Sequence, residues 1–431
     1  MTAPPFISID QNCQPLWDTI PKLQALAAHG RRGTHYLEDI DVAFSRQGVH
    51  QGDPHLELMR ERIYRGGHSD WGAALFAHDF LGRLPLDVRD LEPFTGHTTA
   101  ALSRLLQTDV DELYDRWSPS DNWQLVGASY ADTPGWHRVI GDVRVREAAP
   151  FVRELLAHAR ADLLARFPET PAQERLNRWF AEQEALVEPW LAAAPNASLT
   201  DLYRQWLQAS LPDGVSLSVT SAAFSLQRST SPDSLLTRFI SHYQDAAEAY
   251  NQALQDTGVG MAPLHTDKGE LPFFVIQARD GHMQRTAMSQ RDGWLLAADT
   301  QWPLTEGRLA AADLQRQGVI AVAGKALVLV LQARTGPDAG ALALPHLGSL
   351  YMPAAYAFER RLRERGLLTA PVCPVWRVRL HFLDAWHACR TLVRPPPYLA
   401  QAIGIDEAPA NEVAEAIAAA VAAAEKTLDQ L

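Results

Sequence analysis

Two Asp-Gly dipeptides separate short apolar runs in the segment that begins ELPFFVIQARDGHMQRTAMSQRDGWLLAAD at Glu270. These dipeptides, Asp280-Gly281 and Asp292-Gly293, tolerate the positive φ angles that the tight turns of β-hairpins require. Pro272 stands near the start of the first run, where its missing N–H costs no ladder hydrogen bond. The segment therefore predicts three antiparallel strands joined by two tight turns, a β-meander.

Two further apolar runs follow the meander, and each leads into polar residues. Residues 319–322 precede Gly324 and Lys325, and residues 341–344 precede PHLGSLY. A short apolar run that ends in glycine and polar residues before a helix is typical of a strand in an α/β or α+β protein. We therefore expect that fold class for the C-terminal part of the chain.

The chain of 431 residues is long for one hydrophobic core. Residues 1–230 predict a mainly helical domain, with one hairpin formed by NWQLVGASY and WHRVIGDVRV around a Pro-Gly turn. Residues 231–398 predict an α/β domain that carries a polar cleft. Residues 399–431 predict a C-terminal helix, whose thin apolar stripe packs against a neighbouring element or forms a homodimer seam.

Charge and cysteine content exclude several classes of protein. The net charge of -12 argues against binding to a nucleic-acid backbone. No apolar run approaches the roughly 20 residues of a membrane span, and the N-terminus lacks the features of a signal peptide. Cys13, Cys373 and Cys389 form neither a CxxC pair nor a disulfide framework. We therefore expect a cytoplasmic protein without nucleic-acid or membrane partners.

The segment PHLGSLY, residues 345–351, is the strongest candidate for a catalytic site. Its glycine allows close backbone approach, and a strand-to-helix junction directs backbone N–H groups at an anion. His346 suits proton transfer near neutral pH, and Ser349 and Tyr351 are placed to orient a substrate. A capped helix with a histidine on its entry loop is the structural alternative.

Positive charge in this chain is carried mostly by arginine, which grips carboxylate and phosphate with two parallel hydrogen bonds. We predict that Arg285, Lys325 and Arg334 bind the acidic groups of a small anionic metabolite. Lys325 follows a strand and a glycine, but its surroundings lack the further glycine and the Ser or Thr of a Walker motif. A solvated lysine in a turn is the alternative.

Four histidines in the N-terminal part invite a metal interpretation, namely His50, His55, His68 and His78. None forms an HExxH, HxH or HxxxH pair that would place two imidazoles on one helical face. We therefore predict no metal ligand, and the sequence indicates no particular cofactor.

The order of features from Ser231 onward is similar to that of a large group of uncharacterised bacterial proteins and distantly resembles the bacillithiol synthases, putative cysteine-adding enzymes. In those enzymes a glycine-bearing junction and a tyrosine precede a helix, which a proline-rich strand follows. The matching positions here are Gly348, Tyr351, Leu362, Gly366, Pro371 and Pro374. The Gly-Gln-Gln loop of that family has no counterpart, and the likeness does not cover the first 230 residues. The resemblance implies an α/β fold with a helical appendage and a small-molecule ligase or transferase site.

Two functional hypotheses follow. In the first, the chain is a ligase-type or transferase-type enzyme that acts on an anionic metabolite. In the second, it is a non-catalytic binding or assembly protein that uses the Trp-rich helical half and the C-terminal helix as partner surfaces.

Overall fold

The computed structural model of the chain describes residues 4–10, 19–41, 44–45, 98–105, 107, 130–131, 139–259, 261–279, 281–304, 309–346, 351–380, 382–395 and 397–428. The strands in this part of the chain are β1 (Phe6–Asp10), β2 (Gly33–Leu37), β3 (Phe44–Ser45), β4 (Tyr130–Ala131), β5 (Val215–Val219), β6 (Glu270–Arg279), β7 (His282–Arg291), β8 (Trp294–Ala297), β9 (Thr300–Pro303), β10 (Val319–Gly324), β11 (Ala341–Pro345), β12 (Val375–Val378), β13 (Leu392–Val393) and β14 (Ala408–Pro409).

The helices are α1 (Thr19–Ala28), α2 (Thr99–Leu105), α3 (Val145–Arg166), α4 (Thr170–Ala193), α5 (Leu199–Gln208), α6 (Thr220–Ala223), α7 (Leu226–Ser229), α8 (Leu235–Ser241), α9 (Tyr243–Thr257), α10 (Ala311–Arg316), α11 (Ala326–Ala333), α12 (Met352–Glu364), α13 (Phe382–His387), α14 (Pro397–Ile403) and α15 (Ala410–Leu428). None of these helices combines the length and the apolar character needed to cross a membrane.

A five-stranded parallel sheet forms the centre of the fold. β1 pairs with β2 on one side and with β11 on the other. β5 extends the sheet beyond β2, and β12 extends it beyond β11. Numbered by their order in the chain, these strands lie in the order 3-2-1-4-5. This is the order of doubly wound sheets, in which the chain leaves the central strand first in one direction and then in the other.

Apolar side chains cover both faces of the parallel sheet. On one face, Phe6 of β1 packs in a cluster with Leu23 of α1. On the other face, Ile7 and Leu342 belong to the largest hydrophobic cluster, which also contains Phe358 of α12. Burial on both faces explains the continuous apolar run of β11, ALALP, which is usual for parallel strands, whereas β5 at the edge of the sheet alternates in VSLSV.

The meander forms a second sheet, which is antiparallel throughout and has the strand order β10-β6-β7-β8-β9. The three predicted strands are confirmed as β6, β7 and β8. Asp292 and Gly293 both have positive φ, 52° and 78°, as a primed hairpin turn requires. The sheet gains β9 at one edge and β10 at the other, and β10 is the apolar run that precedes Lys325.

The mixed α/β class predicted from sequence is confirmed, with helices, one parallel sheet and one antiparallel sheet. The sheets do not follow the predicted division at residue 230. β1 and β2 come from the N-terminal part, yet β1 pairs directly with β11 through Phe6 and Ala341. The N-terminal part therefore supplies the central strand of a sheet that the C-terminal part completes.

The predicted hairpin differs from the structure in its second strand. Residues 140–142 form a short 3-10 helix, and α3 begins at Val145. Of the first predicted strand the structure describes only Tyr130, which pairs with β3 as part of β4. Ser198, a natural helix cap, predicts the beginning of α5 from sequence, and it forms a capping box with Asp201. Val143 and Val145 are buried against α5 and its neighbours, which favours a compact turn over an extended strand.

The C-terminal helix is present as α15. Val413 and Ile417 on its first turns are buried in a small cluster with Ala408. Val421, one turn further on, is 39% exposed. The predicted apolar stripe therefore packs within the chain over its first half and is open to solvent at Val421.

Gly33→Ala tests the close pairing of β1 with β2. A Cβ at Gly33 would lie 2.2 Å from the carbonyl oxygen of Phe6, and no side-chain rotation relieves a contact with backbone. We expect urea unfolding to show a loss of about 2 kcal/mol, the size of an overpacking substitution. Gly258→Ala is the comparison: its φ of 63° costs an alanine about 1 kcal/mol of backbone strain, but nothing lies within 4 Å of the added Cβ. Equal losses in the two variants would contradict the importance of this contact.

Candidate functional site

The carboxyl ends of the parallel strands meet at one edge of the sheet, where open α/β sheets bind their ligands. The point at which the strand order reverses lies between β1 and β11. The described residues that follow the strands at this edge, among them residues 38–41 after β2 and His346 after β11, form the candidate site.

His346 and Tyr351 lie at the switch point, as their position after β11 predicts. His346 is exposed directly after the last residue of β11. Tyr351 occupies the N-cap position of α12 and is half-buried against the main hydrophobic cluster, as are Ile9 and Tyr36 of the adjacent strands. Ser349 lies outside the described residues, as does Gly348, so its predicted role stays a prediction.

Three carboxylates follow β2 at this edge: Glu38, Asp39 and Asp41. Oε1 of Glu38 accepts hydrogen bonds from the backbone N–H groups of Ile40 and Asp41, each at 3.0 Å. The Glu38 backbone carbonyl accepts from the hydroxyl of Thr200, 3.4 Å away. The chain therefore folds back on itself after β2 and buries the Glu38 side chain, which is 7% exposed.

Burial raises the pKa of Glu38 to about 8, and the negative charges of Asp41 and Asp39 add to this effect. The backbone N–H of Ile40 and the guanidinium of Arg285 act in the opposite direction but are weaker. A carboxyl group with this pKa carries a proton at neutral pH. Glu38 can therefore donate a proton or a hydrogen bond at the carboxyl edge of the sheet.

Asp39 joins the ends of two strands. Its Oδ1 accepts from the backbone N–H of Ser221 at 2.8 Å, and its Oδ2 accepts from the Ser221 hydroxyl at 2.5 Å. Burial raises the pKa of Asp39, and the two hydrogen bonds from Ser221 oppose this rise. Ser221 comes directly after β5 and Thr220, so Asp39 fixes the end of β5 against the end of β2.

Arg285 reaches this carboxylate group from the antiparallel sheet. Its guanidinium forms an ion pair with Asp41 and lies 3.8 Å above the ring centre of Phe274. Its side chain is 18% exposed, so the charge is partly shielded from solvent. Strand β7 therefore places a cation beside the acidic segment that follows β2, and the binding role predicted for Arg285 stays a prediction.

Lys325 contacts the same aromatic ring. Its Nζ lies 5.6 Å from the ring centre of Phe274 and donates to Oε1 of Glu270 at 2.6 Å. Burial pushes the pKa of Glu270 upward, but hydrogen bonds from the His265 N–H and from Lys325 outweigh it and lower the pKa. Glu270 is therefore ionised and shares a partly buried ion pair with Lys325.

Arg334 lies elsewhere in the fold. It donates to the carbonyl of Cys373 at 2.6 Å and to Glu359 at 3.2 Å. Cys373 precedes β12, so this contact is at the amino edge of the parallel sheet, opposite the candidate site. Arg334 is 4% exposed and ties the end of α11 to α12. The structure thus brings Arg285 and Lys325 to the ring of Phe274. Arg334 instead links α11 to α12 at the opposite edge of the parallel sheet.

The two apolar runs that lead into polar residues belong to different sheets. The run before Lys325 is β10, an edge strand of the antiparallel sheet, whereas the run before His346 is β11 of the parallel sheet. The polar residues after the two runs therefore do not lie at the same edge of one sheet. The carboxylates after β2 were not predicted from sequence, although YLEDID, with three acidic residues directly after an apolar pair, is the signal that could have shown them.

The N-terminal histidines considered as metal ligands lie outside the described residues. Within the described part of the chain, no group of three or more His, Cys, Asp or Glu side chains is arranged to hold a metal ion. Comparison with known families finds no family model that matches the chain, and comparison with curated proteins finds no match either. The function must therefore be argued from the geometry of the site.

Glu38→Gln tests the buried protonated carboxyl group. Because the folded-state pKa of about 8 exceeds the ordinary value of 4.5, folding binds a proton, and the stability that this provides is lost as the pH rises through that interval. Gln keeps the acceptor oxygen and does not titrate. We expect its stability relative to the parent to improve by about 2–3 kcal/mol between about pH 5.5 and pH 7.5, measured by urea unfolding.

Glu188→Gln is the control for that experiment. Glu188 is exposed and its pKa is lowered by the hydrogen bond from Arg153, so the variant should show no gain as the pH rises. If the parent and Glu38→Gln keep a constant difference in unfolding free energy across this interval, the raised pKa of Glu38 is wrong.

Proposed function

We propose that the chain is a ligase-type or transferase-type enzyme that binds a small anionic metabolite at the carboxyl edge of its parallel sheet. The observation that carries this proposal is the ion pair between Arg285 and Asp41. An antiparallel sheet places the Arg285 guanidinium against the buried acidic segment after β2, at the carboxyl edge of a doubly wound sheet. A cation and a protonated carboxyl group at one edge suit the binding and the proton transfers of group-transfer chemistry.

Arg285 and Lys325 are the anion-binding groups of this proposal. Both lie against the ring of Phe274, which shields one side of each cation from water and strengthens its attraction to an anion. Each already contacts a carboxylate, Asp41 or Glu270. A substrate carboxylate or phosphate would bind cations that also contact Asp41 or Glu270. This favours a compact acidic group over a large polyanion.

The remaining groups have complementary roles. Glu38, protonated at neutral pH, would donate a hydrogen bond or a proton to a developing negative charge. His346 would move a proton at the switch point, and Tyr351 would orient the substrate there. The distant resemblance to bacillithiol synthases supports the same class of reaction, since it implies a small-molecule ligase or transferase site at the junction that contains Tyr351.

Arg285→Gln tests the anion site. A thermal-shift screen would cover inorganic phosphate, citrate, amino acids, nucleotides, sugar phosphates and small thiols. An anionic ligand that stabilises the parent protein in a saturable way should bind the variant at least about tenfold more weakly, because a charge-assisted hydrogen bond contributes about 1.5–3 kcal/mol. Arg279→Gln is the matched control, since Arg279 lies on the same hairpin and pairs with Asp299 at the surface.

Two results would count against the proposal. The first is a ligand whose affinity falls equally in Arg285→Gln and Arg279→Gln. The second is a substrate, once identified, whose turnover is unchanged by His346→Ala, which would show that His346 does not transfer the proton.

A non-catalytic assembly protein is the second candidate, and one observation favours it. The side chains of residues 421–426 on α15 are all exposed, including Val421. If this surface binds a second copy, Val421→Asp should reduce the apparent mass in analytical ultracentrifugation without lowering the thermal unfolding temperature of the monomer. Glu425→Asp is the control on the same turn. A monomer in the parent protein at all concentrations would rule out this use of α15.

A further inference from the structure

Arg285, Phe274 and Lys325 lie on one face of the antiparallel sheet. Arg285 of β7 pairs with Ile276, which is two residues from Phe274 on β6, and the register is unbroken between them. Phe274 pairs in turn with Ala323 of β10, and Lys325 follows two residues later while the backbone is still extended. Paired residues, and residues two apart on a strand, lie on the same face of a sheet. The register alone therefore places both cations and the ring on one face.

The two cations approach the ring of Phe274 from different strands. β6 lies between β10 and β7, so Lys325 approaches from the β10 side and Arg285 from the β7 side. The guanidinium carbon of Arg285 lies 3.8 Å from the ring centre, and Nζ of Lys325 lies 5.6 Å from it. The two charges are therefore no further apart than these two distances added together. Two strands that do not pair with each other thus bring their cations within the length of one small molecule.

Solvent reaches both cations. The side chain of Arg285 is 18% exposed and that of Lys325 is 26% exposed, and Phe274 is half-buried. Each cation contacts a carboxylate, Asp41 for Arg285 and Glu270 for Lys325. A guanidinium has five N–H donors and an ammonium has three, so each can bind a ligand oxygen beside that carboxylate. Ion pairs that remain partly exposed contribute little to stability, and a ligand can therefore rearrange them at low cost.

The acidic segment after β2 repels an anion less than its composition indicates. Burial raises the pKa of Glu38 to about 8, so this carboxyl group carries no charge at neutral pH. Glu38 also lies close enough to Arg285 for the guanidinium to oppose part of that rise in pKa. At the Arg285 end of the face, an incoming acidic group therefore meets a hydrogen-bond donor as well as the charge of Asp41.

We propose that the ligand of this site is a short dianion, with one acidic group on Arg285, the other on Lys325 and its linker across the ring of Phe274. This inference rests on the proposed function, in which Arg285 binds an acidic group of the substrate, and it specifies the substrate class. That class is a dicarboxylate or a phosphorylated carboxylate, and the ring favours an apolar or planar linker. Two acidic groups in one molecule bind both cations for a single loss of translational and rotational entropy. A molecule with one acidic group binds one cation and gains less.

Matched pairs of ligands test the second acidic group. Succinate, glutarate and adipate differ from butyrate, valerate and hexanoate only by a carboxylate in place of a methyl group, and 3-phosphonopropionate differs from propylphosphonate in the same way. In isothermal titration calorimetry, the best dianion should bind at least about tenfold more tightly than its matched monoanion, the gain from one further charge-assisted hydrogen bond. Equal affinities within every pair would overturn the proposal.

Lys325→Gln and Arg285→Gln test the two cations separately. In either variant one acidic group of the ligand loses its partner, so the advantage of the dianion over its matched monoanion should disappear. Lys268→Gln and Arg279→Gln remove the same charges and should keep the advantage. Lys268 is exposed in the turn before β6, and Arg279 pairs with Asp299 at the surface. An advantage that survives in Lys325→Gln would show that Lys325 does not bind the second acidic group.

Chemical modification of the parent protein gives a second measurement that needs no variant. Acetic anhydride acetylates lysine amines, and peptide mass spectrometry reports Lys325 and Lys268 separately. A dianion that binds as proposed occupies Lys325 in every complex. At saturation it should therefore slow the acetylation of Lys325 at least about tenfold and leave that of Lys268 unchanged. Unchanged acetylation of Lys325 under a saturating dianion would contradict the proposal.

The proposed function and this inference fail in different ways. Monoanions that depend on Arg285 and bind as tightly as their matched dianions would leave the anion site in place and remove only the second acidic group. A dianion whose affinity is the same in the parent and in Arg285→Gln would overturn both. Absence of binding by every carboxylate and phosphonate, together with a silent ligand screen on folded protein, would also overturn both.

Discussion

The pairing of β1 with both β2 and β11 is the constraint on which the other features depend. This five-residue strand joins the N-terminal and C-terminal parts of the chain, and it fixes the point at which the strand order reverses. A buried hydrogen bond between Ser8 and His35 lies across the β1–β2 pair. Because a one-residue slip would turn these polar side chains to the opposite face and break the bond, it favours a single register. The positions of the carboxylates after β2 and of His346 after β11 follow from that register.

Folding of the acidic segment after β2 costs desolvation free energy, because it buries carboxyl groups. Glu38 and Asp39 are both nearly buried, and burial raises the pKa of each. Hydrogen bonds from Ser221 and from the backbone of Ile40 and Asp41 offset part of this cost. A packed apolar turn would stabilise the same chain reversal with less desolvation of charge. Carboxyl groups with perturbed pKa values cluster at functional sites, and this supports the role proposed for the edge after β2.

Local signals in the sequence were sufficient for the elements that local chemistry determines. The Asp-Gly turns predicted β6, β7 and β8, and Ser198 predicted the beginning of α5, because φ angles and capping hydrogen bonds depend on adjacent residues. The strand order could not be read in this way. Phe6 and Ala341 are far apart in the chain, and nothing in either segment specifies the other as its partner. The same limit misplaced Arg334, whose neighbours Glu359 and Cys373 are brought to it only by the packing of α12 and β12.

The antiparallel sheet explains how the candidate site gains groups that the parallel sheet does not carry. Its strand β7 delivers Arg285 to Asp41 and His282 to Asp142, and both carboxylates lie on segments fixed to the end of β2. Side chains on a paired strand are held more precisely than side chains on a loop, because cross-strand hydrogen bonds restrain the backbone on both sides. The hairpin register, which pairs Arg285 with Ile276, thereby decides that Arg285 and not its neighbours in the strand reaches Asp41.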